Sequence, residues 1–332
     1  MDENIGIPTN FPLVSVLLPV YNGEKYVSDT IKSILKQTYT NIELIIINDC
    51  STDYSEEIIL SFNDKRIRYY KNVSNLKLIQ TLNKGLVLSK GKYIVRIDAD
   101  DIAHPDRIQI QVDFLEKNPE YILVGSKVQL LKNDKLVDEF IDYFEEDLDI
   151  KFAMTIYCPF IHPSVIIRKS VLVEYQIEYD SSFLHAEDYV LWIKLSKYGK
   201  FHNLNQVLLT YRIHDEQISS KFLDFQLKQM RKIQIDYISE NFPFLEKKEI
   251  DFIFFSEGIC DLNIIISKLE RIFSSKSLNS NAKKRFVSKK YKNLVLDNKN
   301  RVNLINLIKI LFNNHIFSCR FTIKQKISLI RK

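Results

Sequence analysis

The sequence predicts an α/β fold: a mostly parallel sheet covered by helices, followed by a helical, basic C-terminal extension. Three observations carry this. Four short apolar runs rich in β-branched residues alternate with segments of helical periodicity over about 90 residues. Polar clusters follow those runs directly, where an open parallel sheet presents its ligand-binding edge. The charge is split: residues 281–332 hold 14 Lys/Arg against one acid, Asp297, for +13, while the residues before them carry −8.

Taken in order, Val14 to Pro19 is a buried strand ended by proline. Lys25 to Gln37 places Tyr26, Val27, Ile31, Ile34 and Leu35 at helical spacing. Glu43 to Ile47 is a second strand, closed by Asn48-Asp49-Cys50-Ser51-Thr52-Asp53, and a helix over Tyr54–Phe62 should follow that cap-rich segment. Ile67 to Tyr70 makes the third strand, Asn75 caps a helix to Leu88, and Gly91 precedes the fourth strand, Tyr93 to Ile97. Beyond it come a helix over Asp106–Asn118, a strand at Ile122–Val124, and a hairpin turning at Asn133-Asp134. A strand at Val165–Ile167, a helix from Glu187 to Leu195, and a strand from Val207 to Ile213 follow. From Ser220 onward the pattern is helical.

Composition narrows the class. An apolar content of 45% with 27% charged residues is that of an ordinary globular protein, and no apolar stretch reaches the ~18 residues of a membrane span. Met1 to Asn10 is acidic and polar, unlike a signal peptide. Cys50, Cys158, Cys260 and Cys319 form no CxxC pair, which argues against a disulfide framework or zinc site and for a reducing cytoplasm. Pro19 to Glu24 holds one glycine rather than GxGxxG, so dinucleotide binding is not expected.

The most informative chemistry is Arg96-Ile-Asp-Ala-Asp-Asp101, at the end of the fourth strand. Three carboxylates crowded there repel one another, and a divalent cation shared with a phosphorylated ligand relieves that repulsion. Asp98 and Asp100 alternate by two, so on extended backbone they project from the same side. The alternative is a solvated acidic turn.

Five motifs occur in order: Ser15-Val-Leu-Leu-Pro-Val-Tyr-Asn-Gly-Glu24, Asn48-Asp-x-Ser-Thr-Asp53, Asp98-Ala-Asp-Asp101, Glu187-Asp188 before an aromatic helix, and Tyr211-Arg-x-His214. Together they resemble the bacterial glycosyltransferase family 2, inverting nucleotide-diphospho-sugar transferases with the Rossmann-like type A (GT-A) fold. The likeness spans residues 12–215. It implies a catalytic domain over 1–218, with a nucleotide-sugar half (12–101) and an acceptor half (102–218), then a helical extension over 219–332 that is basic from 281.

Carried over by position, the resemblance implies that Pro19 and Tyr21 line the base and ribose pocket with Glu24 nearby, and that Asp49 accepts a hydrogen bond from the base. Asp98 would approach the ribose or the metal, and Asp100 would ligate Mg²⁺ or Mn²⁺ on the donor diphosphate. Asp188 would be the general base, with Glu187 beside it toward the acceptor or donor sugar. Arg212 and His214 would face the diphosphate or the metal, and Trp192 is either core or an acceptor contact. Residue by residue, other readings stay open: Asp49 and Asp53 as helix caps, Asp188 as a dipole-favoured helix start, and His162 and His214 as structural histidines.

The chain departs from the family pattern in three places. It reads Asn48-Asp49 where many members have Asp-Asp, and Thr81-Leu82-Asn83 where many have Ala-Arg-Asn, leaving Lys84 or Arg96 to replace that arginine. It lacks the Gln-x-x-Arg-Trp block of processive members, which implies one sugar per encounter. The expected activity is metal-dependent, inverting transfer from a nucleotide-diphosphate sugar, with uridine the expected base, to a glycan or lipid-linked acceptor in surface polysaccharide biosynthesis.

A sugar nucleotidyltransferase would want a glycine-rich triphosphate loop after strand one, and a non-catalytic sugar-nucleotide-binding protein would have lost the base or the metal ligands. In the extension, Asn303 to Ile316 places Leu304, Ile305, Leu307, Ile308, Leu311 and Phe312 on one apolar face between basic segments. That reads either as an interfacial helix on anionic lipid at the inner face of the membrane, or as a helical cap on the catalytic domain. No nucleic-acid module is recognisable, so nucleic acid is not an expected partner.

Overall fold

In the computed structural model, the residues described are 11–141, 143–214, 223–255, 257, 260 and 262–275. The cationic segment 281–332, the helix expected over Asn303–Ile316 and the domain boundary expected at 218/219 lie outside them. By contact the chain divides into two compact units, Met1–Tyr237 and Ile238–Lys332.

The first unit opens as β1 (Val14–Val20), α1 (Val27–Leu35), β2 (Ile42–Asn48), α2 (Ser55–Leu60), β3 (Ile67–Lys71), α3 (Lys77–Leu88) and β4 (Tyr93–Arg96). It continues with β5 (Ile102–Ala103), α4 (Arg107–Lys117), β6 (Tyr121–Lys132), β7 (Lys135–Ile141), α5 (Asp147–Ala153) and a 3-10 turn at His162–Ser164. β8 (Ile166–Arg168), α6 (Lys169–Glu174), α7 (Glu187–Leu195) and β9 (Lys200–Ile213) follow, and α8 (Leu223–Asn241) contains the division at 237/238.

The sheet order is β3-β2-β1-β4-β8-β6-β9-β5, with β7 paired to β6. β1 to β4 are mutually parallel. β8 runs antiparallel to both β4 and β6, so β6 and its parallel partner β9 return to the direction of β1. Six strands therefore share one direction, and β5, β7 and β8 oppose it. This is the mostly parallel sheet expected, and it aligns the carboxyl ends of β1, β2 and β4 along one edge.

Side-chain alternation decides what covers it. Val14, Val16, Leu18 and Val20 of β1 join Ile31 and Ile34 of α1 and Ile108, Val112 and Leu115 of α4 in one buried cluster. On the opposite face Gly85 of α3 lies close enough to Leu17 and Ile47 that an added Cβ would touch both. Each fully buried aliphatic side chain contributes about 1.5–3 kcal/mol, so these two layers fix the sheet. The β6–β7 hairpin turns on Asn133 and Asp134, with φ of 49° and 57°, the left-handed pair that a two-residue connection requires.

β6 and β9 exceed the expected Ile122–Val124 and Val207–Ile213 because they pair along most of their length through register shifts. α5 and α6 were not anticipated; each is one or two turns, too short for periodicity to register. At Gly125 of β6 a Cβ would collide with Phe160 and with Asn203 of β9, so only glycine permits that approach. In the second unit, α9 (Lys247–Phe255) buries Ile250, Ile253 and Phe254, and α10 (Leu262–Ser275) buries Ile265, Leu269 and Ile272. Among the described residues no helix is long and apolar enough to cross a membrane.

Candidate active site

The loops after β1 and β2 are laced together. Asn22 N donates to Ser51 Oγ at 3.0 Å, Gly23 N to Ser55 Oγ at 2.8 Å and Glu24 N to Asp53 Oδ2 at 2.9 Å. In return Thr52 N donates to Asn22 Oδ1 and Tyr54 N to Glu24 Oε2, both at 2.9 Å. Glu24 and Asp53 thus satisfy the backbone of each other's loop, and Tyr21 stands beside them, 51% exposed. Asp49 is buried: its Oδ1 accepts from Leu76 N and Asn72 Nδ2, its Oδ2 from Lys77 N. It therefore ties the start of α3 to the end of β2. Lys84 Nζ reaches the same cluster, donating to Asn72 Oδ1 at 2.7 Å.

At the end of β4 the acids separate by partner. Arg96, 4% exposed, holds the Asp98 carboxylate with both terminal guanidinium nitrogens. Asp100 Oδ2 lies 2.9 Å from His214 Nε2. Asp101 is fully buried; its Oδ1 accepts from Arg212 N, its backbone carbonyl accepts from Thr30 Oγ1, and its Oδ2 has no partner. One oxygen from each of the three lies within 4.8 Å of the others, a hard-oxygen donor set that fits a divalent cation. Beneath it the buried Arg107 donates to the carbonyls of Arg96 and Val165, and burial drops its guanidinium to about 9.

Asp188 enters from the first turn of α7. Its Oδ1 accepts from Tyr189 N at 2.7 Å, and Cys158 Sγ lies 3.6 Å from its Oδ2. Burial raises the Asp188 carboxyl above its usual range, opposed by the Tyr189 amide and by Arg96. Burial also lifts Asp98 to about 6; Arg96 opposes this, and the charges of Asp100 and Asp188 add to it. Acids about 90 residues apart in sequence therefore act on one carboxylate.

Of the alternatives left open by the sequence, the buried ones hold for Trp192 and His162, while Arg212 and Arg96 point toward the acidic turn itself. Trp192 is completely buried against Phe160 and His162, and presents no atom to an acceptor. His162 is buried too, its Nε2 2.8 Å from Tyr179 OH, and burial holds its imidazole well below the usual value. The Arg212 guanidinium sits 4.3 Å over the Tyr26 ring, donates to Asp100 O and reaches the Asp134 carboxylate at 2.5 Å. It braces the acidic turn from behind. Arg96 likewise points at Asp98 rather than outward.

The comparisons with known proteins fall on these residues. The family model described as Glycosyl transferase family 2 matches residues 15–169. An uncharacterized glycosyltransferase of Haemophilus influenzae is 38% identical over 242 residues, covering 69% of this chain and 74% of that protein. The chain belongs to glycosyl transferase family 2. A Methanocaldococcus jannaschii glycosyltransferase, also uncharacterized, is 35% identical, covering 61% of this chain and 71% of its own.

Two solved structures share the GT-A fold of this glycosyltransferase. S. aureus TarS 1-349 in complex with UDP-GlcNAc superposes with a TM-score of 0.58 at 18% identity, covering 91% of this chain and 89% of that one. The mannosyltransferase PcManGT from Pyrobaculum calidifontis, in complex with GDP-Man and Mn²⁺, gives 0.54 at 16%, covering 93% and 89%.

One pH effect of this glycosyltransferase follows from Glu187, which is 7% exposed. Burial first, then the Asp188 charge, push its carboxyl up to about 7. Between pH ~4.5 and ~7 the folded protein then binds more protons here than the unfolded chain, so stability falls as pH rises through that window. Thermal melts of metal-free protein in a pH series should show that decline, and Glu187→Gln should flatten it. An unchanged slope in the variant would locate the linkage elsewhere.

Sequence reading gave the acids but missed three things. Arg96 as the partner of Asp98 was signalled only by its being two residues upstream on the same strand face. Arg107 looked like an ordinary residue in the first turn of a helix. Cys158 beside Asp188 had no sequence signal, because the contact joins a loop to a helix 30 residues on.

Proposed function

We propose that this glycosyltransferase transfers a single sugar from a nucleotide diphosphate, with UDP as the expected leaving group, to a glycan or lipid-linked hydroxyl, inverting the anomeric carbon. The observation that carries the reading is the acidic cluster at the end of β4, where one oxygen each of Asp98, Asp100 and Asp101 lie within 4.8 Å of one another. The carboxyl of Asp188, at the start of α7, is the accompanying acid. Metal ligation and proton abstraction must meet within one sugar's width, and these are the carboxylates suited to each.

In this reading Tyr21 and Pro19 border the base and ribose, and Asp49 fixes the pocket wall while offering its remaining lone pair to the base. Asp98 and Asp100, with His214 beside them, would hold Mn²⁺ or Mg²⁺, which neutralises the diphosphate so that it can leave. Arg96 keeps Asp98 ionised, and Arg212 fixes the backbone of the acidic turn. Asp188, raised by burial but not locked in an ion pair, takes the proton of the acceptor hydroxyl. Glu187 stands behind it toward the sugars.

A thermal-shift panel of UDP-, GDP- and dTDP-sugars with and without Mn²⁺ tests this, because a ligand of the folded state alone raises the transition temperature. A shift that requires both nucleotide and metal is expected. No shift with any nucleotide would remove the reading.

For localisation, the +13 segment 281–332 supports a peripheral position on anionic lipid, as expected of an enzyme in surface polysaccharide biosynthesis that takes a lipid-linked acceptor. Deleting 295–332 should release the protein from anionic liposomes; unchanged co-sedimentation would end that idea.

A further inference from the structure

The segment that brings Cys158 against Asp188 carries an aromatic pair. Tyr143 lies on the chain between β7 and α5, and Tyr157 just after α5; their rings face each other with centroids 5.8 Å apart and planes 34° from parallel. Both remain half-buried. By contrast Phe160, Tyr189, Trp192 and Phe201, from neighbouring segments, are 2% exposed or less and belong to the core. Tyr157 immediately precedes Cys158, whose Sγ lies 3.6 Å from Asp188 Oδ2, and Tyr143 packs on Tyr157, so the pair sits on the segment that borders the Asp188 carboxylate.

The pair is held in place from below. Asn203 of β9, 4% exposed, donates through Nδ2 to Phe144 O at 2.9 Å and to Pro159 O at 3.1 Å. Those two carbonyls flank the tyrosines, one residue after Tyr143 and two after Tyr157. One buried amide thus fixes the spacing of both rings, and Gly125 makes the room for it.

We propose that Tyr143 and Tyr157 form the platform on which a pyranose ring of the acceptor stacks, its hydroxyl delivered to Asp188. This rests on the transferase reading above. Asp188 with Glu187 beside it disfavours an anionic ligand, whereas a neutral sugar offers an apolar C–H face to the rings and hydroxyls to the acid. The ligand class is therefore a neutral hexopyranoside end.

The test uses the full chain with UDP and Mn²⁺ present. Methyl pyranosides of glucose, galactose, mannose and N-acetylglucosamine are screened by saturation-transfer NMR, with UDP affinity measured separately by calorimetry. At least one pyranoside should receive saturation on its ring C–H protons. Y143A or Y157A should weaken it by about three- to tenfold, Y143F and Y157F should retain it, and UDP affinity should be unchanged in all four. Equal pyranoside signals in the alanine variants would overturn the platform, as would wild-type protein that binds UDP but none of the four pyranosides. Wild-type protein binding no nucleoside diphosphate would instead remove the transferase reading, and the platform with it.

Discussion

Asp188→Asn is expected to lower sugar transfer by about 10²- to 10⁴-fold, the range for losing a positioned general base. UDP affinity should stay within about twofold, because the proposed reading gives Asp188 no contact with the donor. The substitution is nearly isosteric: an amide oxygen can still accept from Tyr189 N, and the amide can lie against Cys158 Sγ where the carboxylate did. What disappears is the basic oxygen. Removing one charge from a buried acid cluster should also leave the fold no less stable, which a thermal melt run beside the kinetics will establish. Near-normal turnover in this variant would reassign the base, with Glu187 as the next candidate.

The second large effect is expected at Asp100. Asp100→Ala should weaken Mn²⁺-dependent UDP binding at least about tenfold while leaving metal-free binding unchanged, as calorimetry with and without EDTA can measure. Asp100 is a cleaner probe than Asp98. Truncating Asp98 would strand the Arg96 guanidinium, 4% exposed, and unpaired buried charges cost about 3–5 kcal/mol, so a loss of binding there could be a loss of fold. Asp100 pairs with His214, whose side chain is 22% exposed, so water can reach the imidazole when the partner goes. Equal UDP affinity in wild type and variant, with Mn²⁺ present, would exclude Asp100 as a metal ligand.

Much of residues 12–101 was legible because three of the strands there are buried on both faces and read as continuous apolar runs. β1, β2 and β4 carry no exposed position between their ends. Residues 102–218 were harder to read. Residues Lys200 to Gln206 alternate poorly and pair through register shifts, so the first half of β9 carried no strand signal. The acids of the site were visible because each lies at one end of an element, Asp98 and Asp100 just after β4 and Asp188 in the first turn of α7, where ligand chemistry concentrates. Their partners were not: the Arg96–Asp98 fork, the Cys158–Asp188 contact and the Tyr143–Tyr157 pair depend on rotamers and on loops meeting in space. Trp192, for which helical spacing left both core and acceptor contact open, lies wholly inside.

The reciprocal bonds between the segments 21–24 and 51–55 bear on how quickly a nucleotide is captured. A cleft whose two lips already clasp each other has little ordering entropy left to lose when the base arrives. Association on that side should therefore resemble docking to a rigid template, with a single kinetic phase and a modest temperature dependence.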